Sequence, residues 1–134
     1  MSASKRQILG IISDTHGLLR PEVLQVFSSV NLILHAGDIG SSEVLDGLRT
    51  LAPVVAVRGN NDKEPWANRI PEVEAVRAGA ISIYMLHDVK VMKLKPPTAK
   101  VQVVISGHSH RPNIEERDGI LYLNPGSAGP RRFG

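Results

Sequence analysis

Apolar residues in this chain come in short bursts separated by stretches rich in glycine, aspartate, histidine and proline. The first burst, Ile8 to Ile12 leading into Ser13, is nearly continuous, which is the pattern of a strand covered on both faces. Asp14-Thr-His16-Gly follows it as a loop. Pro21 opens a helix predicted through Val30, because proline suits a first helical turn and Val23, Leu24, Val26 and Phe27 supply apolar positions. Leu32 to Ala36 is a second buried strand, closed by Gly37-Asp38. Ser41 or Ser42 then caps a helix running to about Leu51, with Val44, Leu45 and Leu48 on one side. Pro53 to Val57 supplies a third strand. Repeated strand, loop and helix imply right-handed crossovers and a parallel sheet in this half of the chain.

The second half reads differently. Glu72 to Ala78 and Ala80 to Leu86 pair around Ala78-Gly79, and a short helix is predicted near Val89 to Leu94, before a surface loop at Lys95-Pro-Pro-Thr98. Val101 to Ser106 is a buried strand, and Asn113 to Arg117 joins Ile120 to Asn124 through Asp118-Gly119, a hairpin signal. The pattern predicts an α/β fold with mixed β-sheets in a layered sandwich flanked by helices.

Length and composition narrow the chemistry. At 134 residues with 42% hydrophobic positions, the chain suits a single domain over 1–134 with one substantial core. It has no cysteine, so any metal is held by nitrogen and oxygen ligands, which makes the five histidines informative. Ile8 to Ile12 is too short for a signal-peptide core, and no stretch approaches the roughly 20 apolar residues of a membrane span, so a cytoplasmic protein without membrane contact is expected. The net charge of +3 is scattered over the sequence, and with few aromatics there is neither a basic stripe nor a stacking surface. Nucleic acid is therefore expected only as a substrate. Trp66, after Glu64-Pro65, is a core or rim aromatic with a lesser claim to shaping a substrate mouth.

Predicted strands end in residues that bind hard metal ions: Asp14 and His16, Asp38, Asn60 with Asp62, His87, and His108 with His110. Taken singly, each reads as something plainer. Asp14-Thr-His16 and Asn60-Asn61-Asp62 are ordinary turn chemistry, Gly37-Asp38 is a common strand end, and His87 alone is a half-buried, hydrogen-bonded histidine. Their order on one α/β pattern is harder to dismiss, because the carboxyl ends of parallel strands converge on one crevice. Residues i and i+2 of an extended segment point the same way, so Asp14 with His16, and His108 with His110, would each present two ligands there.

Ser-Asp14-Thr-His16-Gly, His35-Ala-Gly-Asp38, Arg58-Gly-Asn60-Asn-Asp62, Leu86-His87, Ser106-Gly-His108-Ser-His110 and Asn124-Pro-Gly-Ser127 together resemble the calcineurin-like metallophosphoesterase family, in particular its compact bacterial and archaeal phosphodiesterase-like members. The resemblance implies one metal site from Asp14, His16 and His110, a second from Asn60, His87 and His108, and Asp38 bridging them. It implies a structural role for His35, and direct parts in catalysis for Asp38, Asn60 and His87. Two divalent ions are expected, manganese first, with iron, zinc or nickel as alternatives. The implied activity is hydrolysis of a small phosphate ester, a diester before a monoester, by a hydroxide that the two metals activate. The alternative is a catalytically weak scaffold or binding module on the same fold.

Three departures from the family pattern matter. Asn61 stands where larger relatives place a histidine that assists the leaving group, and His87-Asp88 stands where many compact relatives have His-Gly-His. Asp88 then either replaces that imidazole or orients His87. The family commonly continues into further strands after the Asn-Pro-Gly-Ser loop, whereas this sequence stops at Gly134, so an edge of the sheet is expected to be missing or supplied by a partner, with a homo-oligomer as one outcome.

Overall fold

The computed structural model describes residues 7–91 and 101–129. The Lys95–Thr98 loop, the end of the helix predicted to Leu94, and the segment 130–134 lie outside the described residues.

Two sheets form the body of the fold. The first is a three-stranded parallel sheet in the order β1-β2-β3, from Leu9–Ile12, Leu32–His35 and Val54–Ala56. The helices α1 (Pro21–Val26) and α2 (Ser42–Arg49) are its crossovers. The second sheet has five strands, β4 (Val73–Ala78), β5 (Ile81–Leu86), β6 (Val103–Ile105), β7 (Asn113–Arg117) and β8 (Ile120–Asn124), in the order β4-β5-β6-β8-β7. Its two hairpins are antiparallel, and β5, β6 and β8 run parallel between them.

The unbroken apolar run of β2 follows from having a core on each side. Ile33 packs with Val44, Leu45 and Leu48 of α2 and with Phe27, while Leu34 faces the other way, into a cluster with Ile83, Met85 and Ile105 of the second sheet. A polar residue at either position would be buried without a partner, so strict alternation is not available to this strand. The layers are therefore helices, parallel sheet and mixed sheet. Among the described residues no helix is long and apolar enough to cross a membrane.

The differences from the predicted elements lie at their ends. α1 stops at Val26, not Val30; the Phe27 N–H still bonds the Val23 carbonyl, but the chain turns away at Ser28-Ser29, and Val26 points out of the core at 72% exposure. Serine backbone competition and a weak apolar face explain the short helix. α2 ends at Arg49, with the next turn completed by the Thr50 hydroxyl donating to the Gly47 carbonyl. The helix predicted from Val89 is a 3-10 turn over Val89–Val91, and a second 3-10 turn, Pro65–Arg69, was not foreseen. Trp66 in that turn packs against the core on the helix side, which is the plainer of its two readings.

Candidate metal centre

The candidate residues all leave strands at one rim. Asp14 and His16 follow β1, Asp38 follows β2, Asn60 to Asp62 follow β3, His87 follows β5, and His108 and His110 follow β6. The reason for their convergence is not the extended segment expected from spacing. Asp14, His16, Asp38, His108 and His110 have φ of 56°, 50°, 54°, 73° and 64°, all left-handed. Such a conformation is uncommon for a residue with a Cβ and turns the chain sharply at each position. Asp14 and His16 do reach the same place, but His108 and His110 part company.

Two groups result: Asp14, His16 and His110 in one, Asp38, His87 and His108 in the other, with the potential ligand atoms of each within 4.8 Å of one another. The two groups touch. Asp38 Oδ2 lies 3.2 Å from His87 Nε2 and 3.9 Å from His16 Nε2. Asp14 Oδ1 lies 3.3 Å from His110 Nε2 and 3.8 Å from the Nε2 atoms of both His16 and His87. Asp14 Oδ1 is also buried without a hydrogen-bond partner. An ionised carboxylate oxygen in that state carries a desolvation cost of a few kcal/mol unless a cation offsets it. Imidazole nitrogens crowd each other in the same way: His16 Nε2 and His110 Nε2 are 3.3 Å apart, as are His87 Nε2 and His108 Nδ1. A set of carboxylates and imidazoles aimed at one another fits divalent transition-metal ions.

Surrounding contacts hold these donors in place. The other oxygen of Asp14 accepts from the Ser13 hydroxyl and the His108 N–H, leaving Oδ1 as the one that faces the cluster. His87 Nδ1 is 2.7 Å from the Ala36 carbonyl; it donates there, which leaves Nε2 as the nitrogen that faces Asp38. Asn61 grips Asp38 twice, its N–H on Oδ1 at 3.0 Å and its side-chain amide on Oδ2 at 3.1 Å. Asn60 is exposed in the same turn. Asp62 is buried and accepts the N–H groups of Ile39, Gly40 and Gly59, each at 3.0 Å, so it ties the β2 and β3 loops together and does not face the cluster.

Sequence reasoning missed what the Asn124-Pro-Gly-Ser127 loop does. The Asn124 side chain donates to the Gly107 carbonyl and to Ser109, and the Ser127 hydroxyl donates to the Asp14 carbonyl, so this loop fixes both ligand-bearing turns. The available signal was a polar, proline-containing turn immediately after a strand. Two glycines are needed for closeness alone: a Cβ on Gly107 would fall 1.8 Å from Ser13 Oγ, and one on Gly59 would fall 2.2 Å from Asp38 Oδ1.

His35 belongs to a different layer of the site. Its Nδ1 accepts the Gly37 N–H at 3.1 Å. Its Nε2 lies 3.1 Å from the Thr15 hydroxyl, which already donates to the Ile39 carbonyl and therefore accepts from the ring. Both nitrogens are thus occupied with the ring neutral. Burial, with His87 nearby, pushes its pKa from 6.5 to about 3. At Asp38 burial works toward a higher pKa, but the His87 hydrogen bond, the Asn61 N–H and the neighbouring imidazoles outweigh it and bring the carboxyl to about 2. Burial would lower His87, but its bonds to Asp38 and Ala36 and the charges of Asp38 and Asp14 raise it.

Two predictions arise here. His108→Ala and His110→Ala should each weaken binding of a different metal ion, whereas His35→Ala should retain both; metal titration followed by elemental analysis of the purified variants checks this. A His35 variant that lost one ion as completely as the His110 variant would require a different ligand set. The second concerns acid. His35 is neutral in the fold down to about pH 3 and protonates near 6.5 when unfolded, so the unfolded chain binds the extra proton between those values. Stability of the metal-free protein should fall through that window as pH drops, by about 1.4 kcal/mol per pH unit from this residue. His87, with its pKa raised, stabilises fully below its unfolded value and loses that contribution as pH rises, so it adds no slope on the acid side. Urea unfolding from pH 7 to 5 should show the slope in the wild type, and His35→Ala should flatten it.

A family model described as the calcineurin-like phosphoesterase superfamily domain matches residues 8–134, and the chain belongs to that family. It is 41% identical over 131 residues to a probable metallophosphoesterase of Methanothermobacter thermautotrophicus, covering 90% of this chain and 76% of that one. Among solved structures it is similar to an archaeal phosphodiesterase, with 29% identity, a TM-score of 0.75 and coverage of 89% of this chain and 83% of that one. It is similar also to wild-type Vps29 of Entamoeba histolytica in complex with zinc, with 29% identity, a TM-score of 0.71 and coverage of 90% and 74%.

Proposed function

We propose that this chain is a divalent-metal-dependent phosphodiesterase, with Asp14, His16 and His110 at one ion, Asn60, His87 and His108 at the other, and Asp38 between them. The observation that carries the reading is Asp14 Oδ1, a buried carboxylate oxygen without a hydrogen bond and within 3.8 Å of the imidazole nitrogens of His16, His87 and His110. A divalent cation among those nitrogens would offset the cost of burying that oxygen. Manganese is the first candidate, with iron, nickel and zinc following; the Vps29 relative in complex with zinc supports including that ion.

When bound, two such ions supply an acidified shared water and draw charge from the non-bridging phosphoryl oxygens. The protein's own residues set the conditions. Asp38 stays ionised far below neutral pH, and its Asn61 contacts keep each oxygen from rotating away. His87 is oriented by its Nδ1–H on the Ala36 carbonyl, so Nε2 is the nitrogen that would meet an ion. Asn60 would contribute a neutral oxygen, which limits the negative charge beside the water and so keeps it acidic.

The test is a screen of nitrophenyl phosphomonoesters and phosphodiesters after chelation and reconstitution with manganese, iron, nickel or zinc in turn. Turnover should appear only after reconstitution and should be faster on diesters. A protein that binds two ions and hydrolyses none of these esters would be a binding module on the same fold.

A further inference from the structure

We propose that the cleft beside His108 recognises a second anionic group on the substrate, which makes the natural substrate class a phosphate ester bearing a further phosphate; this rests on the phosphoesterase reading. The cleft has a volume of about 610 Å³ and lies between Asp88–Lys90 after β5, the Gly107–Pro112 segment after β6, and the β7–β8 hairpin. His108 is both a member of the Asp38 group and part of the cleft wall. A phosphate held at the metal centre therefore has this cleft as its neighbour.

The charge of the wall is one-sided: Lys90, Arg111 and Arg117 face it against a single carboxylate, Asp88. Arg117 is already used, paired with Glu115 at 3.2 Å and stacked 4.2 Å from the Tyr122 ring. Asp88 is likewise engaged, accepting the Lys90 N–H and lying 3.7 Å from His108 Nε2. Lys90 and Arg111 are exposed, and among the described residues neither side chain enters an ion pair. Two unneutralised cations in a concave wall focus potential on an incoming anion, and a phosphate there would take charge-assisted bonds from both. Val89, Pro112 and Leu123 complete the wall with carbon, which suits the short linker between two phosphates. A neutral substituent would leave both cations solvated and gain nothing from them.

The test uses two measurements on the manganese-reconstituted protein. In the first, a 4-nitrophenyl 3-hydroxypropyl phosphodiester is compared with the same compound phosphorylated on its propyl hydroxyl; nitrophenolate is the leaving group in both. Wild type should favour the phosphorylated compound in kcat/KM by about tenfold, and the ratio should collapse toward one in Lys90→Gln/Arg111→Gln. In the second, calorimetric binding of propane-1,3-diol bisphosphate should exceed that of propyl phosphate by a similar factor in wild type and lose that advantage in the double variant. Equal rates on the two diesters, or a preference that survives the double substitution, overturns the proposal while leaving the phosphoesterase reading intact. If neither diester turns over but the bisphosphate keeps its Lys90- and Arg111-dependent advantage, the subsite stands and the hydrolase reading fails. Absence of that advantage with no turnover sinks both.

Discussion

Asp38→Asn is expected to lower phosphodiesterase turnover by orders of magnitude while leaving the fold largely intact. Asp38 Oδ2 is within 3.2 Å of an imidazole in one group and 3.9 Å of an imidazole in the other, so its charge is shared by both halves of the centre. An amide of the same shape removes that charge, and in one of its two orientations sets an NH2 against the donating Asn61 side chain. The folding cost should be limited to the loss of charge-assisted hydrogen bonds at one site, roughly 1–3 kcal/mol. Elemental analysis, turnover with saturating metal and urea unfolding check the three parts separately. A purified variant with two tightly bound ions and wild-type turnover would remove Asp38 from the bridging position.

Turnover should also depend steeply on the acidity of the leaving alcohol, with nitrophenyl-type esters cleaved far faster than alkyl esters. A positioned general acid contributes typically ~100- to 10,000-fold when the leaving group is poor, and the residues standing where relatives carry an imidazole do not supply one. The Asn61 side chain is held on Asp38 and has no acidic proton. Asp88 lies 3.7 Å from His108 Nε2 and accepts from the Lys90 N–H, so in the contacts it makes its carboxylate is an acceptor and not a proton donor. It sits beside His108, and His87 is oriented instead by Ala36. The measurement is a series of aryl and alkyl phosphodiesters of graded leaving-group acidity, under metal-saturated single-turnover conditions in which chemistry limits the rate. A flat dependence would reveal a proton donor elsewhere in the site. Phosphorylated substrates that coordinate through a leaving-group oxygen would depart from the line.

The strands around the site could be read from the chain because each burst of apolar residues had a buried destination. Leu32 to Ala36 has to satisfy two cores at once, and only an unbroken run does so. The lengths of the helices were harder to read, since none of the residues of α1 from Pro21 to Val26 is fully buried and its apolar positions therefore do not mark where it ends. At the site, the identity of the converging residues was legible but the means of convergence was not. Spacing put His108 and His110 in one crevice and the family resemblance assigned them to different ions; the left-handed turns at both were not foreseen, and the two residues lie in different groups. Asp62 shows the same limit from the other side. A carboxylate two positions after Asn60 looks like a ligand in the sequence, and only the three N–H groups aimed at it reveal a fastener for the surrounding loops.

The left-handed turns at Asp14, His16, Asp38, His108 and His110 also bear on why a side chain stands at these positions at all. Each holds a side chain where glycine would sit without strain, at roughly 1–2 kcal/mol apiece. Substituting glycine at any of them would ease the backbone and delete a donor in the same stroke. The backbone therefore offers no reason for a side chain at these five places, and what holds one there is the cluster the side chains form and the contacts they make. This sequence retains an aspartate or a histidine at every one of them.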